Sequence, residues 1–369
     1  MYIQKVSYFE NKSNLAVRNY WEVQDLSFNR SFNLVVGKNA TGKSRVLSII
    51  HNFAKMISQR EMVGLFNGNW DIEFNDKNSI FSYRVEIENG FVIKEEILEN
   101  GVEKLNRTKN LTTITSATNG QSKINPPNTK LVLHVRRDEL EYPFLEKIIN
   151  WAEETYFFSF SATITTNIDV PLTPSNSNNV LTLNAVPTVL AEMKPAEIVD
   201  IISEFNTMGY DVVDAKADSG INFPPPFKAL FIKEKNIKFP IDQSSISQGM
   251  YRAFSLLVIL NYYLSSKRES LFVIDDLCEG LDYERSVKFT KLIISKIKKK
   301  NIQIISSSND SFLMNEITVK DWNYLYRKDN IVKSINYSNN KDLFENFKYT
   351  GLNNFDFFAS DYLNEVIDK

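Results

Sequence analysis

A single cysteine in 369 residues, Cys278, excludes an internal disulfide, and a reducing compartment asks for none. Histidine is almost as scarce. His51 and His134 are the only two, and neither lies near Cys278 in sequence, so an imidazole-activated thiol is not indicated. No stretch reaches the ~18–20 apolar residues of a membrane span, and Met1-Tyr2-Ile3-Gln4-Lys5 lacks the apolar core of a signal peptide. The expectation is a cytoplasmic protein with no membrane partner. A net charge of −2, from 43 basic and 45 acidic residues, carries no global nucleic-acid signature. DNA, as a partner, would have to meet a local basic surface. The densest basic run, Lys296 with Lys298, Lys299 and Lys300, ends a helix expected over Arg285 to Lys300, where cations complement the helix dipole. It reads as a solvated helix end before it reads as a DNA patch. No long heptad tract separates Ser44 from Ser247, and no internal repeat is evident.

What is present is 43% hydrophobic residues, ample for a packed core of two to three structural units, and a set of short motifs. Gly37-Lys38-Asn39-Ala40-Thr41-Gly42-Lys43-Ser44 fits G-x-x-x-x-G-K-S. It follows a buried-strand pattern at Phe32 to Val36 and precedes a helical period in Val46, Leu47, Ile49, Ile50, Phe53, Met56 and Ile57. The chemistry follows from the residue types: glycines let backbone N–H groups close around phosphate oxygens, Lys43 reaches the β and γ phosphates, and the Ser44 hydroxyl ligates Mg²⁺. Residues 37 to 44, with Arg45 beside them, are therefore the candidate nucleotide contacts.

Downstream, Leu271-Phe272-Val273-Ile274-Asp275-Asp276 is an apolar strand ending in two acids, as a metal site at the carboxyl edge of a parallel sheet requires. A helix N-cap or turn is the alternative for such a pair. Ser247-Gln248-Gly249 opens an apolar helix, where a hydroxyl and a bare backbone make an anion site. Simple capping by Ser247 is compatible with that reading. Arg252 falls on the first turn, unfavourable for a cation by dipole alone, so an anionic partner is expected for it.

Along the rest of the chain, residues 1 to 36 alternate as antiparallel strands leading into the glycine-lysine loop, and Trp70 to Lys94 returns to period two as a meander. Residues 98 to 129 are polar and read as an exposed connection; Lys130 to His134 reads as a strand, Tyr142 to Glu154 and Pro195 to Met208 as helices. Residues 161 to 180, rich in Ser, Thr, Asn and Pro, read as a mobile loop. His51 and His134 read as packing residues.

On these residues the chain resembles the ABC-type ATPase heads of the RecF, SMC and OLD group, often grouped with the AAA-family ATPases, more than a transporter cassette. The resemblance covers about 1 to 95 and 240 to 340. It implies an α/β P-loop NTPase fold with a mixed sheet: ATPase lobes at 1–95 and 240–340, an inserted helical and irregular region at 96–239, and a C-terminal extension at 341–369. It assigns Gly37 to Ser44 as Walker A, Ser247 to Arg252 as the signature loop, Asp275 as the Walker B carboxylate on Mg²⁺, and Gly280 to Asp282 as the D-loop. Three departures stand out. Asp276 occupies the place of the glutamate that polarises water. Ser308, with Asn309 as neighbouring candidate, replaces the switch histidine. No glutamine loop is recognisable, and Arg136, Arg137 or Asp138 is the nearest substitute. The function implied is ATP binding and Mg²⁺-dependent hydrolysis, with Lys43, Asp276 and Ser308 catalytic. The heads would sandwich ATP in a homodimer or higher oligomer, acting with DNA or a separate effector in genome maintenance or phage defence. An ATP-gated sensor or scaffold with vestigial hydrolysis is the alternative that Asp276 and Ser308 motivate.

Overall fold

The computed structural model describes residues 1–10, 20–59, 64–160, 186–221, 225, 228–266, 268–298, 300–359 and 361–363. In chain order the first half gives β1 (Tyr2–Phe9), β2 (Glu22–Ser27), β3 (Phe32–Gly37), α1 (Lys43–Ser58) and the strands β4 (Gly68–Asp76), β5 (Ser79–Glu88), β6 (Phe91–Glu99), β7 (Val102–Arg107), β8 (Thr112–Ser116) and β9 (Gly120–Ile124). Then come α2 (Val132–Val135), α3 (Pro143–Glu153), β10 (Thr155–Ser159), α4 (Val186–Glu192), α5 (Pro195–Asn206), β11 (Val212–Asp218), β12 (Ala229–Glu234) and β13 (Ile241–Asp242). The last part holds α6 (Gln248–Ser266), β14 (Ser270–Asp275), α7 (Tyr283–Ile297), β15 (Ile302–Ser307), α8 (Ser311–Glu316), β16 (Trp322–Lys328), β17 (Ile331–Asn336), α9 (Lys341–Phe347) and α10 (Asn354–Ala359).

Among the described residues one 14-stranded mixed sheet runs β10-β14-β15-β3-β16-β17-β2-β1-β4-β5-β6-β7-β8-β9, and β11-β12-β13 form a small second sheet. The segment β10-β14-β15-β3-β16 is parallel. β3, β14 and β15 are buried at every position, as strands covered on both faces must be. Strand alternation then sorts their side chains. Leu271, Val273, Val35 and Ile305 pack with α1 and α3, whereas Phe272, Ile274, Leu34, Val36 and Ile304 pack with α6 and α7. The helix after the glycine-lysine loop and the helix after Ser247 therefore cover opposite faces of one sheet.

Two sequence expectations fail, each for its own physical reason. Residues 98 to 129 are not a connection: they contain β7, β8 and β9, whose inward positions, such as Leu105 and Ile114, are too few to show as an apolar pattern. Lys130 to His134 is not a strand but runs into the single helical turn α2. Polar groups that composition cannot locate hold that turn. Arg107 donates to the carbonyls of Lys130 at 2.7 Å, Pro127 at 2.9 Å and Pro126 at 3.3 Å, and stands 3.5 Å from the buried carboxylate of Glu95. Glu95 accepts from Val132 N–H at 3.0 Å and Tyr83 O–H at 3.0 Å. His134 then meets the Met56 carbonyl of α1 at 2.9 Å through Nε2, and burial pushes its pKa down to about 4, so it stays a neutral packing residue. His51 stacks on Phe157 with ring centroids 4.8 Å apart. The loop expected at 161 to 180 lies outside the described residues.

Desolvation raises Glu95 to about 7, against its backbone, Arg107 and Tyr83 contacts. Since this folded value exceeds the unfolded one, the stability Glu95 contributes is full at acid pH and is lost as pH rises through neutrality. Arg107→Met leaves three carbonyls and that carboxylate without their cation. It is expected to cost about 3 kcal/mol at pH 6 and more at pH 8, where Glu95 is ionised. Urea unfolding at both pH values checks this; wild-type midpoints at both would show that the staple holds nothing.

Candidate functional site

At the carboxyl edge of β3 the chain turns through a loop whose backbone only small residues permit. Ala40 and Gly42 have φ of 63° and 102°, and a Cβ on Gly42 would stand 2.4 Å from the Trp21 ring. Gly37 is pinned as closely, by the Leu325 carbonyl 2.7 Å from where its Cβ would be. Lys43, the first residue of α1, is buried and curls back to donate to the Gly37 carbonyl at 2.8 Å. Burial lowers its pKa, while Asp276 and Asp275 pull it up. Thr41 closes the loop on Lys38 O at 2.8 Å; Lys38, Asn39 and Ala40 are exposed at its crest. Arg45 turns away from that crest, pairing with Glu10 and lying 4.4 Å over the Trp21 ring.

The acids of β14 arrive at the same edge. Ser44 Oγ donates to Asp275 Oδ1 at 3.0 Å, and Ser307 Oγ, at the end of β15, donates to the same oxygen at 2.6 Å. Ser307 also accepts from Asp276 N–H at 2.9 Å. Asp276 itself is held in the left-handed region at φ 54°, which Asp enters more readily than most residues other than glycine. The two oxygens of Ser44 and Asp275 suit an octahedral Mg²⁺: adjacent ligands each ~2.0–2.1 Å from the ion lie about 3 Å apart, the separation seen. Among the described residues no group of three or more His, Cys, Asp or Glu is placed to hold a metal, so an ion here would take its remaining ligands from phosphate and water, as Mg²⁺ does.

A second group gathers on the other face. Ser247 caps α6 by accepting from Met250 N–H at 3.3 Å, and its carbonyl accepts from Tyr251 at 2.9 Å. Both readings of Ser247, cap and exposed donor, thus share one position. Gly249 packs on the turn after β14: a Cβ there would lie 2.2 Å from the Gly280 carbonyl. Arg252, buried on the first turn of α6, donates to Glu279 O at 3.4 Å and Gln248 Oε1 at 3.2 Å. Burial lowers its pKa, and the Glu279 charge nearby raises it. Asp282 caps α7 through Arg285 N–H at 3.0 Å. Lys43, Ser44, Asp275 and Asp276 therefore meet, and Ser247, Gly249 and Arg252 meet, but the two groups lie on opposite faces.

Ser308 is buried below the edge, donating to Leu277 O at 3.4 Å and accepting from Asp310 N–H at 3.0 Å. Its neighbour Ser307 is the one that touches Asp275, and alternation from Ile305, which packs against the α1 face, was the signal pointing to it. Trp21, which seals Gly42, had no signal in the motif. Of Arg136, Arg137 and Asp138, Arg137 is placed away from Asp275. Arg137 pairs with Glu146 at 2.8 Å and stands 3.7 Å from Glu153, just before β10, hence at the opposite, amino edge. At the carboxyl edge β10 instead brings Ser159 beside Asp275, and Phe160 N–H donates to Asp275 O at 2.9 Å. Cys278 is buried and pushed up to about 12 by desolvation, inert as a nucleophile.

Residues 32–315 match the family described as "AAA domain, putative AbiEii toxin, Type IV TA system". Comparison with curated proteins gives no significant match. Among solved structures, the chain is similar to an SMC head bound to the C-terminal winged-helix domain of ScpA, with TM-score 0.53, 14% identity, and 91% of this chain and 98% of that one covered. It is also similar to an SMC head with an extended coiled coil bound to the C-terminal domain of ScpA, derived from Pyrococcus furiosus, with TM-score 0.50, 11% identity, and 94% and 99% covered. At such identities the likeness is one of fold: an ABC-type head built on a mixed sheet.

The contact at Gly249 generates a prediction that needs no ligand. Gly249→Ala forces a methyl into a backbone carbonyl, so either α6 or the 276–282 turn must shift, at a cost of about 1–3 kcal/mol. Thermal unfolding measures it; a melting temperature equal to wild type would mean that the two segments are not packed as described.

Proposed function

The chain belongs to this AAA domain family and has the fold of an SMC head, and from that premise we propose that it binds and hydrolyses ATP with Mg²⁺, through a site completed by a second copy of itself. The observation that carries the reading is the division of the candidate residues: Lys43, Ser44 and Asp275 on one face, Ser247 and Gly249 on the other. Neither half can fold over onto the other within one sheet.

In this reading the Gly37 to Ser44 backbone cradles the phosphates, and Lys43 exchanges its bond to Gly37 O for the β and γ oxygens. Ser44 and Asp275 hold the metal, with Ser307 fixing the Asp275 carboxylate; Mg²⁺, when bound, neutralises charge on the phosphates. Asp276 orients the attacking water and accepts its proton, from a side chain one methylene shorter than glutamate. Ser247 and the α6 N-terminus of the second copy meet the γ-phosphate. Two heads related by a two-fold axis then enclose two nucleotides. The SMC heads above are bound to ScpA; by analogy a separate effector, or DNA, is the partner served, in genome maintenance or defence against phage. The ATPase lobes at 1–95 and 240–340 carry the chemistry, and 341–369 extends them.

A second reading rests on Ser308. With the Ser308 hydroxyl engaged by Leu277 and Asp310, only the neutral amide of Asn309 is left to take the switch histidine's place, and with the short Asp276 hydrolysis would be slow. The protein would then be an ATP-gated sensor. Turnover with and without DNA or effector separates the two.

Lys43→Ala removes the principal cation from a partly desolvated phosphate site. Affinity for Mg-ATP is expected to fall by at least ~10-fold, the loss of a charge-assisted hydrogen bond. Calorimetric titration reads it, and unchanged affinity removes Lys43 from the site.

Asp276→Asn is expected to bind ATP without turning it over and so to accumulate dimer by mass action. Adding Ser247→Arg places a long side chain where the second copy's phosphate must sit, which keeps the protein monomeric while nucleotide binding persists. Light scattering with Mg-ATP decides; equal masses for the single and double variants would sink the shared site and leave a single-subunit ATPase.

A further inference from the structure

The 14-stranded sheet has a seam. β17 pairs with β2 through only two residue pairs, Ile331 with Glu22 and Val332 with Val23, near the carboxyl edge. Below them the free edge of β17 is met by a side chain instead of a strand: Asn339 accepts from Asn336 N–H at 2.9 Å and donates to Ser334 O at 2.8 Å. At the amino ends of β16 and β3, opposite the Gly37–Ser44 loop, this seam opens into a cavity of about 420 Å³, within the size range of small-molecule sites.

The cavity's chemistry can be worked out from one hydrogen-bond chain. Asn336 Oδ1 accepts from the backbone N–H groups of Ser338 at 3.0 Å and Asn339 at 3.2 Å, which fixes the orientation of its amide. Its Nδ2 must then donate, and does so to Asn323 Oδ1 at 3.0 Å. That fixes Asn323 in turn, leaving its Nδ2 with no acceptor among the described residues. Asn323 is 2% exposed and lines the cavity. Its amide nitrogen is not among the polar atoms sealed from solvent without a partner, so it opens on the cavity. A donor fixed in this way and facing the cavity is oriented for an acceptor that enters there.

Charge supplies the second requirement. Of the lining cations, Lys5 is paired with Asp25 at 2.8 Å and Lys320 with Glu345 at 3.0 Å. Arg30 donates only to the neutral amide of Asn301, at 2.9 Å, and has no carboxylate partner among the described residues. Glu73 is the one carboxylate of the lining. A fixed amide donor and an uncompensated guanidinium call for an anion with several acceptor oxygens, the recognition for which arginine geometry is suited. Glu73 adds an acceptor for hydroxyl groups.

We propose that this cavity binds the phosphomonoester of a sugar phosphate, with Arg30 and the Asn323 amide on the phosphate and Glu73 accepting from sugar hydroxyls. The same chemistry is offered by a free sugar phosphate and by the 5′-phosphorylated end of a nucleic-acid strand. The site is separate from the Lys43 site, and its test reads neither hydrolysis nor dimerisation.

The test is calorimetric titration of the full chain, with a non-hydrolysable ATP analogue and Mg²⁺ present throughout so that the Gly37–Ser44 loop does not compete. The probes are ribose 5-phosphate, ribose, and a short oligonucleotide with and without its 5′-phosphate. Arg30→Gln removes the cation at an exposed position. Asn323→Asp keeps the bond accepted from Asn336 and turns the free donor into an anion. Binding of ribose 5-phosphate but not ribose, weakened at least tenfold by either substitution, establishes the site for small sugar phosphates. Binding of the phosphorylated oligonucleotide alone, with the same losses, establishes it for strand ends. No binding of either up to ~10 mM, equal binding of the unphosphorylated probes, or affinities unchanged in Arg30→Gln overturns the proposal.

Discussion

A parallel sheet must be covered on both faces, and in this protein that requirement decides where everything else goes. β14 sends Leu271 and Val273 towards α1 and Phe272 and Ile274 towards α6, so alternate residues of one strand build two separate cores. The helix that begins at Lys43 and the helix capped by Ser247 are thereby kept apart by the sheet itself. What they share is the carboxyl edge, where β14 ends in Asp275 and its next turn runs on to Gly280. A carboxylate at the last position of the strand and a glycine five residues later address the two faces from one turn.

At that edge the polar contacts form a short, closed circuit. Asp275 is held from α1 by Ser44 and from β15 by Ser307, and Ser307 in turn holds the backbone of Asp276. Three elements far apart in sequence are locked to each other through one carboxylate oxygen and two hydroxyls. Such a circuit pre-sets the carboxylate's direction before any ion arrives, so little ordering remains to be done on binding.

The glycine-lysine loop, the acidic strand and the α6 helix were legible in the sequence because each combines a residue pattern with a backbone requirement: glycine at positive φ, an apolar run ending in acid, a hydroxyl before a helix. The parallel core was legible for a similar reason, since β3, β14 and β15 are nearly continuous apolar runs. β7 to β9 were not, because β7 and β8 each bury one large apolar residue, Leu105 or Ile114, and β9 buries none, which leaves no period to read. α2 was misread as a strand because its conformation is set by Arg107 and Glu95, which lie 25 and 37 residues upstream of Val132. The role of Ser307 was overlooked for its neighbour because three serines in a row look alike until strand alternation is followed through them. Trp21 lies outside any motif, and its place against Gly42 depends on how β2 meets the loop.

The approach of Gly249 to Gly280 also bears on how such a sequence can change over time. The atom that would meet a side chain at position 249 is a backbone carbonyl, present whatever residue occupies position 280. No change of side chain at position 280 can therefore remove the obstacle. Room for a side chain at position 249 comes only if α6 or the 276–282 turn moves as a whole, so the constraint on Gly249 lies chiefly in main-chain geometry.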